Sequence, residues 1–285
     1  MNNENFRQNN IDNGNEISNL IKNWDNFNID QKYESASKFN RIQDFDTGKN
    51  IVTTVLENFE NLNSENKLAT IFSLEKLGAQ CTELENYTTE ILLKFSDKNT
   101  NNDILYALAK SVDTKAIRLL LPLEIDNKEI SSDDKILLTK IFNSEEKILN
   151  NMPDLQEKND ILYNFSKFGK LPELRKKTAD YLTQQFEKSE KKSNLYYTLA
   201  DNLIILSDQI NEKSLSELKE ILKYNIKNNI NDTKCFKYMR QIWKIGDTSF
   251  LPLIENIKNA FPFPGIIELS KNVVEEINSK KVNND

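Results

Sequence analysis

Ile242-Trp243-Lys244-Ile245-Gly246-Asp247-Thr248-Ser249-Phe250-Leu251-Pro252-Leu253-Ile254 is the stretch that decides the fold class. Upstream of it Cys235, Met239, Ile242 and Trp243 recur at helical spacing, and Gly246 stands where a helix that has run out of turn ends. Asp247 or Thr248 then offers a side-chain oxygen to the free N–H groups of a new helix. Phe250, Leu251, Ile254 and Ile257 form the stripe of that second helix, with Pro252 in its first turn. Gly265 opens a last helix through Ile266, Leu269, Val273 and Ile277. One corner thus joins two amphipathic helices.

The same texture extends backward. Ile51, Val52, Val55, Leu56 and Phe59 make one stripe, with Asp46 or Thr47 as its cap; Leu84, Tyr87, Ile91 and Phe95 make another. Ile104, Leu105, Leu108 and Val112 follow, then a short helix from Thr114 that Pro122 should end or kink. Ser132 is the expected cap of the next helix, and residues 145–152 form a separate short segment closed by Pro153. Gly169, Pro172, and the leucine series Leu195-Leu199-Leu203-Leu206 and Leu215-Leu218-Leu222 carry the pattern to the opening stretch. No Gly-bounded alternation of period two occurs, so strands have no support. Almost every helix has a single apolar stripe and needs cover from neighbours on both sides, which stacked helix pairs provide. Glycine is scarce at six residues, and Asn127, Asn143, Asn151 and Asn231 are read as left-handed substitutes at helix ends.

Corners expected at positions 43, 78, 112, 143, 169, 207 and 246 are separated by 35, 34, 31, 26, 38 and 39 residues, within the range of two-helix repeats. Asp113-Thr114 sits in register with Asp247-Thr248, and Lys76-Leu77-Gly78 and Lys167-Phe168-Gly169 repeat Lys244-Ile245-Gly246. The Gly-Asp corner followed by Leu251-Pro252-Leu253-Ile254 resembles a HEAT repeat of the armadillo-like superfamily, most specifically over residues 242–279. That resemblance implies an all-α protein, a right-handed α-α superhelix built as a solenoid of HEAT-like helix pairs, whose concave face binds a protein partner. The expected organisation is an N-terminal arm over residues 1–14, one solenoid domain over 15–280 and a flexible tail over 281–285.

The 285 residues carry a net charge of −6, unevenly placed: residues 1–160 hold 18 basic and 28 acidic side chains, residues 161–250 hold 16 and 11. This fits either two partner surfaces or an unevenly charged solvated exterior. Within the basic belt, Lys237 and Lys244 share one helix face with Arg240 beside it, and Arg175-Lys176-Lys177 add charge. These six, Arg175, Lys176, Lys177, Lys237, Arg240 and Lys244, are the expected partner-binding residues. Two cysteines, Cys81 and Cys235, are expected as buried free thiols. With no apolar run of about twenty residues and no apolar leader, a cytoplasmic protein without membrane contact is expected.

Chemistry is thinly represented. The absence of histidine removes His-assisted nucleophiles and the commonest transition-metal ligand. No phosphate-cradling glycine motif is present. Residues Asp97, Asn99, Asn101 and Asp103 imitate the oxygen spacing of a calcium loop, but Asn102 replaces its glycine and Leu108 its bidentate glutamate. No catalytic residue, cofactor or metal is therefore expected. The alternative is a nucleic-acid-binding or DNA-glycosylase-like helical repeat protein using the belt. Helix-repeat DNA glycosylases resemble this architecture and place Trp and Asp in a basic cleft. Here Trp243 reads as core and Asp247 as a helix cap, ordinary structural work for both.

Overall fold

The computed structural model describes residues 17–77, 81–96, 101–125, 129–152 and 156–282. The expected arm (1–14) and residues 283–285 of the expected tail lie outside the described residues, as do Gly78, Asn127, Pro153 and most of the calcium-like loop. All regular structure among the described residues is helical. The chain divides between Ile161 and Leu162 into two compact units.

The first unit contains α1 (17–22), α2 (Ile29–Phe39), α3 (Phe45–Leu56), α4 (Ser64–Lys76), α5 (Thr82–Ser96), α6 (Asn102–Ile125) and α7 (Ser132–Asn151). Each helix packs on the next but one: α2 on α4 and α4 on α6 in one row, α3 on α5 and α5 on α7 in the other. Contacts of α4 with α5, α5 with α6 and α6 with α7 tie the rows together. Gly48 makes the approach of α3 to α5 close, since a Cβ there would lie 2.1 Å from a methyl of Leu84. Trp24 stacks on Phe39 at 5.5 Å between ring centroids, both fully buried. Lys32 is buried beside them, and its ammonium donates to the Phe27 carbonyl at 2.9 Å and to Asn66 Oδ1 at 2.8 Å, fastening α2 to α4. The two hydrogen bonds offset part of the cost of burying the ammonium, a cost that lowers its pKa.

Several local expectations change. The corner at Asp113-Thr114 does not exist: α6 runs unbroken for 24 residues, past Pro122. Asp113 points into the α6–α7 packing instead of capping a helix, and Thr114 Oγ1 donates back to the Lys110 carbonyl at 3.1 Å. A proline three residues from a helix end removes one hydrogen bond without breaking the packed stripe. Residues 145–152 belong mainly to α7, which spans 20 residues, so position 143 is no corner either. Positions 43, 169, 207 and 246 do lie between helices.

The abundant asparagine has a different use from the expected one. Among the described non-glycine residues only Lys192 has a positive φ, so no asparagine serves as a left-handed cap. Asn28, Asn63 and Asn211 instead stand before α2, α4 and α11 (Glu212–Asn229), each accepting the N–H three residues on. Asn231 does the same for Lys234 at 3.0 Å. Asn143 lies inside α7, and Asn151 is its last residue. The caps of α3 and α7 are Asp44 and Ser131, a residue or more upstream of those expected.

The second unit contains α9 (Pro172–Lys188), α10 (Asn194–Ile205), α11, α12 (Cys235–Ile245), α13 (Leu251–Ala260) and α14 (Pro264–Val282); the division falls inside α8 (Gln156–Phe165). Here α12 packs on α10 and on α14, while α11 packs on α13. Neighbours in sequence, α9 with α10, α10 with α11, α11 with α12 and α13 with α14, close the layers. Leu199, Leu203, Leu218, Leu222, Phe165, Phe168 and Phe250 form the interior. Cys235 is buried there, whereas Cys81 of the first unit is half-buried, not enclosed.

Candidate partner-binding cleft

The Gly246 corner fixes α12 against α13. Gly246 has φ −67° and ψ 153°, so its glycine is not needed for a left-handed turn. It is needed for proximity: its N–H donates to the Ile242 carbonyl at 2.6 Å, and a Cβ would meet that same oxygen at 2.4 Å. Asp247 caps the 3₁₀ turn Thr248–Phe250, accepting from the Ser249 N–H at 2.9 Å and pairing with Lys219 of α11 at 2.8 Å. Burial pushes this carboxyl up, but the bonds from Lys219 and Ser249 outweigh it and hold the pKa at about 2.

With α12 so fixed, its faces separate cleanly at about 100° per residue. Cys235, Tyr238, Met239, Ile242 and Ile245 point inward. Lys237, Arg240, Trp243 and Lys244 occupy the opposite arc and are exposed. Trp243 is therefore not core; it lies just beyond the edge of the buried arc and is 40% exposed.

This outer arc lines an open cleft of about 1210 Å³, together with residues of α8, α9, α10 and α14. Five cations enter it, Arg175, Lys237, Arg240, Lys244 and Lys280, with three carboxylates, Asp201, Asp208 and Glu276, for a net of +2. Four of the six expected belt residues are thus brought together. Lys176 and Lys177 are not: Lys176 pairs with Asp180 at 2.7 Å and donates to the Gln209 carbonyl, and Lys177 is exposed outside the cleft.

Three of the five cations are engaged. Lys237 pairs with Asp201 at 2.6 Å, and Gln241 Nε2 donates to the same carboxylate at 2.8 Å. Arg175 forks onto Asp208 through Nε (3.0 Å) and Nη2, while Nη1 donates to the Gly169 carbonyl at 2.8 Å. Its hydrogen bond to Asp208 raises the guanidinium and holds the carboxyl well below the usual range. Lys280 reaches Glu276 at 3.4 Å. Arg240 and Lys244 have no partner among the described residues. Tyr163, Ile205 and Trp243 add apolar surface, 56%, 51% and 40% exposed. At the floor, Asn202 and Gln241 are buried with one polar atom each, Nδ2 and Oε1, unsatisfied.

The sequence pointed to the cations of α12 but missed Tyr163, Ile205, Asn202 and Lys280. Lys280 and Tyr163 reach the cleft from helices 37 or more residues away from Trp243, a distance that helical periodicity does not span. The calcium-like spacing has a plain explanation in part: Asn101 Oδ1 accepts from the Asp103 and Ile104 N–H groups at the start of α6, and Leu108 is fully buried. Among the described residues no group of three potential metal ligands is found, and no helix is long and apolar enough to cross a membrane. Comparison of the chain with protein families, curated proteins and solved structures finds no match.

Proposed function

We propose that the protein is a non-catalytic helical-repeat scaffold whose second unit docks a protein partner in the cleft over α10, α12 and α14. The observation that carries this reading is the composition of the cleft. Exposed Trp243, Ile205 and Tyr163 share the cleft with two unpaired cations, while the remaining cations are paired with wall carboxylates. Apolar and aromatic area next to a few free charges is the pattern of a protein-docking surface. The next-but-one packing in each unit supports a solenoid of HEAT-like pairs, with a right-handed superhelical sense as part of the proposal. The row α10-α12-α14 is then the inner, concave layer.

A catalytic role has less behind it. Asp247 does not line the cleft, and a carboxyl held near 2 by a lysine and a serine is a poor base. A cytoplasmic location belongs to the same proposal. The test is capture from the source cell with the wild-type chain and with Arg240→Glu/Lys244→Glu. A stoichiometric protein held by the first and lost by the second is expected. The reading falls if neither retains one.

Nucleic acid is the second reading, favoured by the gathering of four belt cations in one groove. Binding through so few phosphate contacts would be weak, with a shallow salt dependence. Failure to retain single-stranded DNA or RNA at low salt removes it.

A further inference from the structure

We infer that the cleft recognises an extended acidic peptide segment carrying a large apolar or aromatic side chain beside its carboxylates. The inference rests on the docking reading above and names the partner's chemistry. Arg240 and Lys244 lie four residues apart on α12, on one face, exposed and unpaired. They are the cleft's free positive charges, and Trp243 is exposed beside them on the same helix. A segment that carries two carboxylates and a large apolar side chain beside them can engage all three.

The floor decides between a peptide and a phosphodiester chain. Asn202 Nδ2 is a donor and Gln241 Oε1 an acceptor; both are more than nine-tenths buried residues with those atoms unpaired. A buried polar atom without a partner costs about 1–3 kcal/mol, so a ligand able to satisfy it gains affinity. A peptide main chain presents a carbonyl and an N–H alternately and suits both after a side-chain rotation at the floor. A phosphate backbone presents acceptors only and leaves Gln241 unsatisfied. With Asp201, Asp208 and Glu276 each paired to a wall cation, the cleft offers two free charges, enough for a peptide whose charges are spaced and too few for a chain with a charge at every unit.

The test is fluorescence anisotropy on the full chain with three probes. These are a short fluorescein-labelled peptide with Phe flanked by Asp and Glu, the same peptide with Ala for Phe, and labelled oligothymidine. The acidic Phe peptide should bind, the Ala peptide more weakly, and oligothymidine less than either. Arg240→Glu/Lys244→Glu should weaken the Phe peptide roughly tenfold or more, whereas Lys176→Glu/Lys177→Glu, outside the cleft, should leave it unchanged. Trp243→Ala should erase the preference for Phe over Ala. All these positions are exposed, so an unaltered thermal transition will show that the variants fold. Tighter binding of oligothymidine, or equal loss from the Lys176/Lys177 variant, overturns the inference. If neither peptide binds while the cleft variant still loses its captured cellular protein, the inference fails and the docking reading stands.

Discussion

Replacing Glu145 with glutamine should stabilise the first unit, and increasingly so as pH rises. Glu145 of α7 is fully buried, neither carboxyl oxygen has a hydrogen-bond partner, and Asp113 of α6 stands near it. Burial first, and the Asp113 charge second, push its carboxyl well above the ordinary value of 4.5. The sign follows from proton counting. Above about pH 4.5 the unfolded chain releases this proton and the folded chain keeps it, so folding becomes less favourable as pH rises. The loss is about 1.4 kcal/mol per pH unit until the folded group itself ionises. Glu145→Gln keeps the shape and removes the titration, so its advantage over wild type should grow at about that rate for as long as the folded group keeps its proton. Any cost of seating the new amide is independent of pH and cancels from the slope. Urea unfolding followed by far-ultraviolet circular dichroism at several pH values measures it. A stability difference that stays flat with pH, or shrinks as pH rises, refutes the reasoning.

Other substitutions follow from the described contacts. Gly246→Ala should destabilise the second unit by about 1–3 kcal/mol, because the new methyl meets the Ile242 carbonyl and only backbone movement relieves it; a thermal shift assay will reveal it, and an unchanged melting temperature contradicts the close approach. Asn28→Ala should cost about 1 kcal/mol by removing the bond that the Gln31 N–H donates to the Asn28 side chain, the reciprocal bond from the Asn28 N–H to Gln31 Oε1 remaining, while Asn28→Asp should largely preserve stability; chemical denaturation of the pair separates the cap from general polarity. Arg175→Ala should cost about 1–3 kcal/mol and Arg175→Lys recover only part of it, since a single ammonium cannot reach Asp208 and the Gly169 carbonyl with the same fork. Asp247→Asn should blunt acid unfolding: the depressed carboxyl contributes stability above about pH 3.8 that is lost as pH falls towards 2, and an acid titration of the variant should lack that step.

The helices were readable because burial imposes a period, and Leu199-Leu203 or Ile51-Val55 display it without reference to anything distant. The ends of helices were less readable. Asp113-Thr114 and Asp247-Thr248 look alike in sequence, yet one lies inside α6 and the other caps a turn. What separates them is the surroundings: Asp113 faces Glu145 across a helix interface, and Lys219 of another helix meets Asp247. Asparagine misled for a related reason, since the same residue tolerates a left-handed backbone and caps a helix start, and only the dihedral angle tells them apart. Trp243 reads as core because it lies four residues from Met239. A helix shows its buried arc by all its members, and Tyr238 and Ile245 rotate that arc away from Trp243. The cations of α12 are legible as a face; the carboxylate that occupies Lys237 comes from α10, which only folding brings alongside.

The two tryptophans divide between the units, and this gives the protein a pair of native optical probes. Trp24 is enclosed in the first unit against Phe39 and beneath the Lys32 ammonium, so its emission is blue and sheltered from soluble quenchers. Trp243 is open to solvent on the second, so its emission is red and accessible to them. Selective quenching therefore resolves the two signals without labels or mutation: the sheltered component follows the melting of the first unit, and the quenchable component senses what enters the cleft.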